Sequence, residues 1–85
     1  MAKYKIEIKR SAVKEIKKLP VKKLKRVLKA IGNLADNPHP IGAIKLSSQD
    51  FYRMRIGKYR ILYEIMDDVL KIIIVKVGQR KDIFN

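Results

Sequence analysis

Apolar and polar residues alternate from Lys3 to Lys9, with Tyr4, Ile6 and Ile8 on one side and Lys5, Glu7 and Lys9 on the other. Period-two alternation of this kind predicts a half-buried strand. The period then lengthens. Ser11 can cap a short helix over about residues 12–18, with Val13, Ile16 and Leu19 as its inner stripe. Pro20 interrupts that helix and suits the start of the next. From Val21 to about Asp36, Val21, Leu24, Leu28, Ile31 and Ala35, flanked by Val27 and Leu34, recur at helical spacing. Lys22, Lys23, Lys25, Arg26 and Lys29 cover the other side, and Asn37-Pro38-His39-Pro40 stops the helix. A loop through about Ser48 leads to three strands, 50–56, 59–66 and 69–77, with turns at Gly57-Lys58 and Asp67-Asp68. The order is β-α-α-β-β-β: an α+β fold, one domain over residues 1–85, with two N-terminal helices on one face of a small antiparallel sheet.

The first turn sets a register. A two-residue hairpin at Gly57-Lys58 pairs Ile56 with Tyr59 and places Arg55 directly opposite Arg60, with Arg53 two residues back on the same face. Continued across the second turn, that register pairs Glu64 with Lys71 and Tyr63 with Ile72. Tyr52, Met54, Ile56, Tyr59, Ile61, Tyr63, Ile65, Ile72 and Ile74 then form the face for the helices. The other face carries Arg53, Arg55, Arg60, Glu64 and Lys71, with Ile73 and Val75 between them. A slip of one residue would drive the arginines into the core, so burial specifies the assignment.

Like charges directly opposed across a sheet are destabilising. In a small domain with a thin core, such a pair points to an absent polyanion. Composition strengthens this reading. The 85 residues hold 21 Lys and Arg against 8 Asp and Glu, a formal charge of +13. Apolar content of 47% with clear periodicity argues for a folded domain rather than a basic tail. The imbalance favours nucleic acid, an anionic surface or an acidic protein as partner. With no cysteine, disulfides and thiolate metal sites are excluded. No stretch approaches the roughly 20 apolar residues of a membrane span, and the charged first residues are unlike a signal peptide, so the expected compartment is the cytoplasm. His39 has no second histidine for a dyad. Tyr52, Tyr59 and Tyr63 read as core residues.

The stretch Tyr-Arg-Met-Arg-Ile-Gly-Lys-Tyr-Arg-Ile-Leu-Tyr-Glu-Ile at 52–65 and the ending Val-Gly-Gln-Arg-Lys-Asp-Ile-Phe at 77–84 follow two short helices. In that order they resemble the RelE/ParE superfamily of toxins over essentially the whole chain, and the ending looks more like the RelE branch than the gyrase-poisoning ParE branch. The resemblance implies a toxin of a type II toxin–antitoxin system that cleaves messenger RNA in the ribosomal A site. It also implies no metal or cofactor, and as partners the ribosome with its messenger and a cognate RelB-like antitoxin. Matched position by position, Arg53 and Arg55 fall where the best-known member carries two lysines. Arg60 and Arg80 match two functional arginines, and Phe84 falls where that member has a catalytic tyrosine.

Metal-free RNA cleavage needs an aligned 2′-hydroxyl that loses its proton, stabilised charge on the phosphorane and a protonated leaving oxygen. Guanidinium forks suit the second task, being bidentate to phosphate and permanently charged. Arginine is a poor proton acceptor, and phenylalanine can stack on a base without exchanging a proton. The candidate catalytic set is Arg53, Arg55, Arg60 and Arg80. Lys45, Lys58, Lys81 and Phe84 are candidate RNA-binding residues, and Lys76 joins the lysines as a candidate proton acceptor. Two alternatives from other classes are a gyrase poison of the same fold and a non-catalytic basic module binding RNA or the ribosome.

Overall fold

The computed structural model describes residues 3–46 and 50–79. Strand β1 (Lys5–Ile8) leads into helix α1 (Arg10–Lys17) and helix α2 (Val21–Asn33). Then follow a two-residue strand β2 (Ile44–Lys45), β3 (Phe51–Ile56), β4 (Tyr59–Met66) and β5 (Lys71–Gln79), with a 3-10 turn (Asp67–Val69) between the last two. The strands form one sheet in the order β1-β5-β4-β3-β2. Both helices lie on one face, where Ala12, Ile16, Val27, Ile31 and Leu34 pack on Met54, Ile61, Tyr63, Ile65, Ile72, Ile74 and Val77. Among the described residues no helix is long and apolar enough to cross a membrane.

The α+β class and the helix–sheet layering are as the sequence predicts, but the sheet is mixed rather than wholly antiparallel. β1 pairs with β5 in parallel, Lys5 opposite Lys71 through Ile8 opposite Ile74. The chain between them runs through both helices and strands β2 to β4, far longer than the minimum a parallel connection requires. The helices also start differently from expectation. Lys9, not Ser11, is the N-cap of α1, Pro20 is that of α2, and neither cap makes a side-chain hydrogen bond. Burial of an amphipathic stripe on the sheet therefore holds these helices more than their ends do.

The arginine hairpin has the expected register: Ile56 faces Tyr59, and Arg55 faces Arg60. Gly57 has φ +58°, while Lys58 is not among the positive-φ residues, the pattern of a type II′ turn with glycine in its first central position. At the second turn the register differs by two residues, with Tyr63 opposite Ile74 and Glu64 opposite Ile73. The 3-10 turn and Leu70, in left-handed conformation at φ 50°, lengthen that connection. Because two residues are one full pleat, every side chain keeps its expected face. A bulge then intervenes. Leu62 faces Lys76 while Tyr63 faces Ile74, leaving Val75 extra. The bulge changes the parity of β5, so Val77 joins Ile72 and Ile74 in the core.

Beyond Ile74, β5 has lost β1 as a neighbour, and α1 covers its open edge. The Val77 amide donates to Glu15 Oε1 at 2.9 Å, and Lys76 Nζ lies 3.5 Å from Glu15 Oε2. One carboxylate thus satisfies a strand amide that the sheet leaves over. Glu15→Ala should lower unfolding stability by about 1–2 kcal/mol in a urea titration, the value of a charge-assisted bond that is partly solvated. A change within about 0.3 kcal/mol would mean that water replaces the carboxylate without loss.

Candidate nucleic-acid interface

Strand parity turns Arg53 and Arg55 of β3, and Arg60, Leu62 and Glu64 of β4, away from the helices. Arg53 sits in a cross-strand row between Ile44 of β2 and Leu62 of β4. Its Nε is buried without a hydrogen-bond partner. An unpaired, desolvated donor costs about 1–3 kcal/mol, so Arg53 is held with unused hydrogen-bonding capacity. Arg55 is exposed, whereas Arg60 on the central strand is only 7% exposed and is engaged by an interaction rather than free. The arginine face is therefore not open along its whole length. It presents an accessible rim at Arg55 and a deep guanidinium at Arg60.

Arg55, Gly57, Lys58 and Arg60 line a cavity of about 210 Å³ at the tip of the hairpin. Three cationic residues and one glycine make up its described lining, so an anion entering it meets positive charge and no carboxylate. Arg55 also borders a larger cleft of about 350 Å³ between α2 and β3, lined by Leu34, Pro40, Ile41, Met54 and Ile56 among others. Four of the carboxylates are engaged elsewhere. Glu7 pairs with Lys71 at 3.0 Å, Glu15 with Lys76, and Asp36 with Lys3 at 3.8 Å. Asp67 accepts the Tyr4 hydroxyl, which raises the pKa of that phenol. Among the described residues, Arg53, Arg55 and Lys58 form no ion pair with a carboxylate.

The structure thus brings together four of the expected residues: Arg55, Lys58 and Arg60 around the cavity, with Arg53 beside them. It does not bring in Lys45. That residue faces Tyr52 across the β2–β3 ladder, so pleating turns it toward the helix side of the sheet. Lys76, a candidate proton acceptor, is drawn to Glu15 on α1. Arg80, Lys81 and Phe84 lie outside the described residues, which end at Gln79 opposite Tyr59, beside the hairpin tip. His39 is structural. It meets Tyr52 edge-on at 5.1 Å, and Tyr52 stacks on Tyr63 at 5.9 Å. Among the described residues, no three His, Cys, Asp or Glu side chains converge as metal ligands would.

One cation near this site goes unnoticed in the sequence. A Cβ on Gly57 would stand 3.8 Å from Arg26 Nη1, so a residue of α2 reaches the hairpin turn. Helical spacing assigns Arg26 to the polar side of α2 but cannot say that this side borders the turn.

The chain matches the family model described as the ParE toxin of type II toxin–antitoxin system, parDE, over residues 6–84. It is 34% identical to the putative toxin RelE1 of Methanocaldococcus jannaschii, covering 98% of this chain and 97% of the relative. With toxin RelG of Mycobacterium tuberculosis it shares 30% identity, covering 96% and 97% of the two chains. Among solved structures, the toxin–antitoxin complex RelBE2 of M. tuberculosis contains a chain that superposes with TM-score 0.80 at 29% identity, covering 96% of this chain and 97% of that one. The archaeal RelE–RelB complex of Pyrococcus horikoshii gives TM-score 0.81 at 27% identity, with coverage of 94% and 98%. By family model, relatives and fold together, this chain belongs to the RelE/ParE superfamily of toxins of type II toxin–antitoxin systems.

Proposed function

We propose that this toxin is a ribosome-dependent endoribonuclease that cleaves messenger RNA in the A site and so stops translation. The observation that carries this reading is the cavity formed by Arg55, Lys58 and Arg60, with no carboxylate among the described residues of its lining. A guanidinium fork binds two phosphate oxygens at once and stabilises the charge that builds on them as the phosphorane forms. In the reaction the 2′-oxygen bonds to phosphorus and the 5′-oxygen leaves. The 2′-hydroxyl proton passes to an acceptor, and a donor protonates the departing oxygen. Arg55 and Arg60 take the scissile phosphate, and Arg53 steadies a neighbouring one. The acceptor and donor are supplied by other groups, because a guanidinium is too weak a base for the first task.

A RelB-like antitoxin is the proposed protein partner, since RelE-type relatives have been solved in complexes with RelB. Its toxin-binding segment should carry acidic residues against the arginine rim and an apolar side.

The test adds purified toxin to translating ribosomes and maps messenger ends by primer extension. Cuts within A-site codons support the reading. The family model is described as the ParE toxin, and the ParE branch supplies the second reading, a gyrase poison. Intact messenger together with trapped gyrase–DNA breaks would select it. Intact messenger and intact DNA would leave a basic binding module.

A further inference from the structure

The proposed scissile-phosphate site draws only on the sheet, yet a guanidinium from the helix layer stands at the same turn. Arg26 is exposed on α2, on the side away from buried Val27 and Ile31. Its Nη1 approaches to 3.8 Å from where a Cβ on Gly57 would stand, and Gly57 itself lines the cavity with Arg55, Lys58 and Arg60. Among the described residues Arg26 forms no ion pair. Asp50 lies beyond the far end of β3, and Asp67 and Asp68 lie at the opposite turn. Among the described residues Arg26, Arg55 and Lys58 thus meet at one turn with no carboxylate paired to any of them, an arrangement that repels itself until an anion arrives. A Cβ at residue 57 would meet Arg26 at an ordinary van der Waals distance, so the glycine answers to the positive φ of the turn and not to the approach of Arg26.

We propose that Arg26 binds the backbone phosphate next to the one held by Arg55 and Arg60, so that helix and sheet grip single-stranded RNA on both sides of the hairpin tip. The proposal rests on the ribonuclease reading and extends its substrate site by one phosphate. A planar fork with paired donors suits a phosphodiester better than a point charge does. Because this phosphate does not react, Arg26 contributes the same binding in ground state and transition state. Its loss should raise KM and leave kcat unchanged.

The test uses full-length toxin with Arg26→Gln and Arg26→Lys, and as probe a fluorescein-labelled single-stranded RNA with 2′-O-methyl sugars, which resists cleavage. Affinity is measured over a salt series. Arg26→Gln should weaken binding about 10-fold and reduce the slope of log K against log salt by about 0.7, one phosphate contact's worth for a single strand. Arg26→Lys should restore the slope, and the melting temperatures of both variants should match the parent. On translating ribosomes Arg26→Gln should raise KM with kcat within about twofold. An unchanged slope in Arg26→Gln overturns the proposal, as does a fall in kcat at constant KM. A lower melting temperature with normal RNA binding also overturns it, because Arg26 would then only brace the turn. The readings separate cleanly. If the parent cuts no messenger but Arg26→Gln lowers the slope, the phosphate contact stands and the ribonuclease assignment falls. If the parent cuts and Arg26→Gln behaves as the parent does, only the present inference falls.

Discussion

Arg55→Ala should reduce A-site cleavage by about 10²-fold, and Arg60→Ala by about 10²–10³-fold, the usual loss when one preorganised donor to a developing oxyanion is removed. The two variants should differ in stability. Arg55 is exposed, so its truncation should leave the unfolding midpoint almost unmoved. Arg60 is 7% exposed and engaged, so its truncation opens space within the sheet surface and strands its partner. Arg60→Lys is therefore the sharper test. It keeps a positive charge and much of the stem but loses the fork, and should recover stability better than activity. Combining Arg55→Ala with Arg60→Lys should cost less than the sum of the separate losses, since both act on one phosphate. Single-turnover cleavage on programmed ribosomes, with thermal unfolding on the same samples, checks each point. Undiminished cleavage in folded Arg55→Ala and Arg60→Lys would remove this cavity from the reaction.

The hairpin that carries these arginines was legible residue by residue. Its turn is local, its loop has two residues, and a one-residue slip would bury charge, so geometry and hydrophobicity agreed on one answer. Legibility fell as sequence separation grew. Alternation marks Lys5–Ile8 as a strand but carries no information about its partner, and the parallel pairing joins it to a strand that two helices and three other strands separate from it in the chain. The register of β5 was missed by one pleat because a 3-10 turn ending in left-handed Leu70 does not announce its length in Asp67-Asp68. Val77 was missed as a core residue because a bulge at Val75 changes parity where apolar residues occupy both faces anyway. At the site, strand parity found Arg53, Arg55 and Arg60. It could not foresee that Arg60 is deep, that Lys45 faces the helix side, or that Arg26 reaches the turn. Each of those depends on how separate elements are stacked, and no local pattern encodes stacking.

Tyr63 should govern both the stability of the fold and its alkaline limit. The ring is fully buried, stacks on Tyr52 at 5.9 Å, and its hydroxyl donates to the Pro38 carbonyl at 3.0 Å. Through Tyr52, which meets His39, it fastens the segment that ends α2 to the middle of the sheet. Tyr63→Ala should cost about 3–5 kcal/mol, the loss expected for a large buried ring. A chain of this length has only about 4–13 kcal/mol in all, so that variant should be largely unfolded well below the parent's melting temperature. Tyr63→Phe keeps the ring and should cost about 1 kcal/mol for the lost hydroxyl bond. Burial, with a smaller contribution from Tyr52, pushes the Tyr63 phenol up from 10.0 to about 12. Folding thus favours the neutral phenol. Its contribution is intact below pH 10, declines as the unfolded chain ionises above pH 10, and is gone beyond about pH 12, a loss of roughly 2–3 kcal/mol. Lysines lose charge in the same range and relieve repulsion, so the parent's curve alone is ambiguous. The difference between parent and Tyr63→Phe isolates the phenol, because the lysines are common to both. Urea unfolding at steps from pH 8 to pH 12 should show the parent's advantage shrinking and then reversing. Two curves that stay parallel across that range would mean that Tyr63 ionises as easily in the folded chain as in the unfolded one, and that its hydroxyl is not held where the core places it.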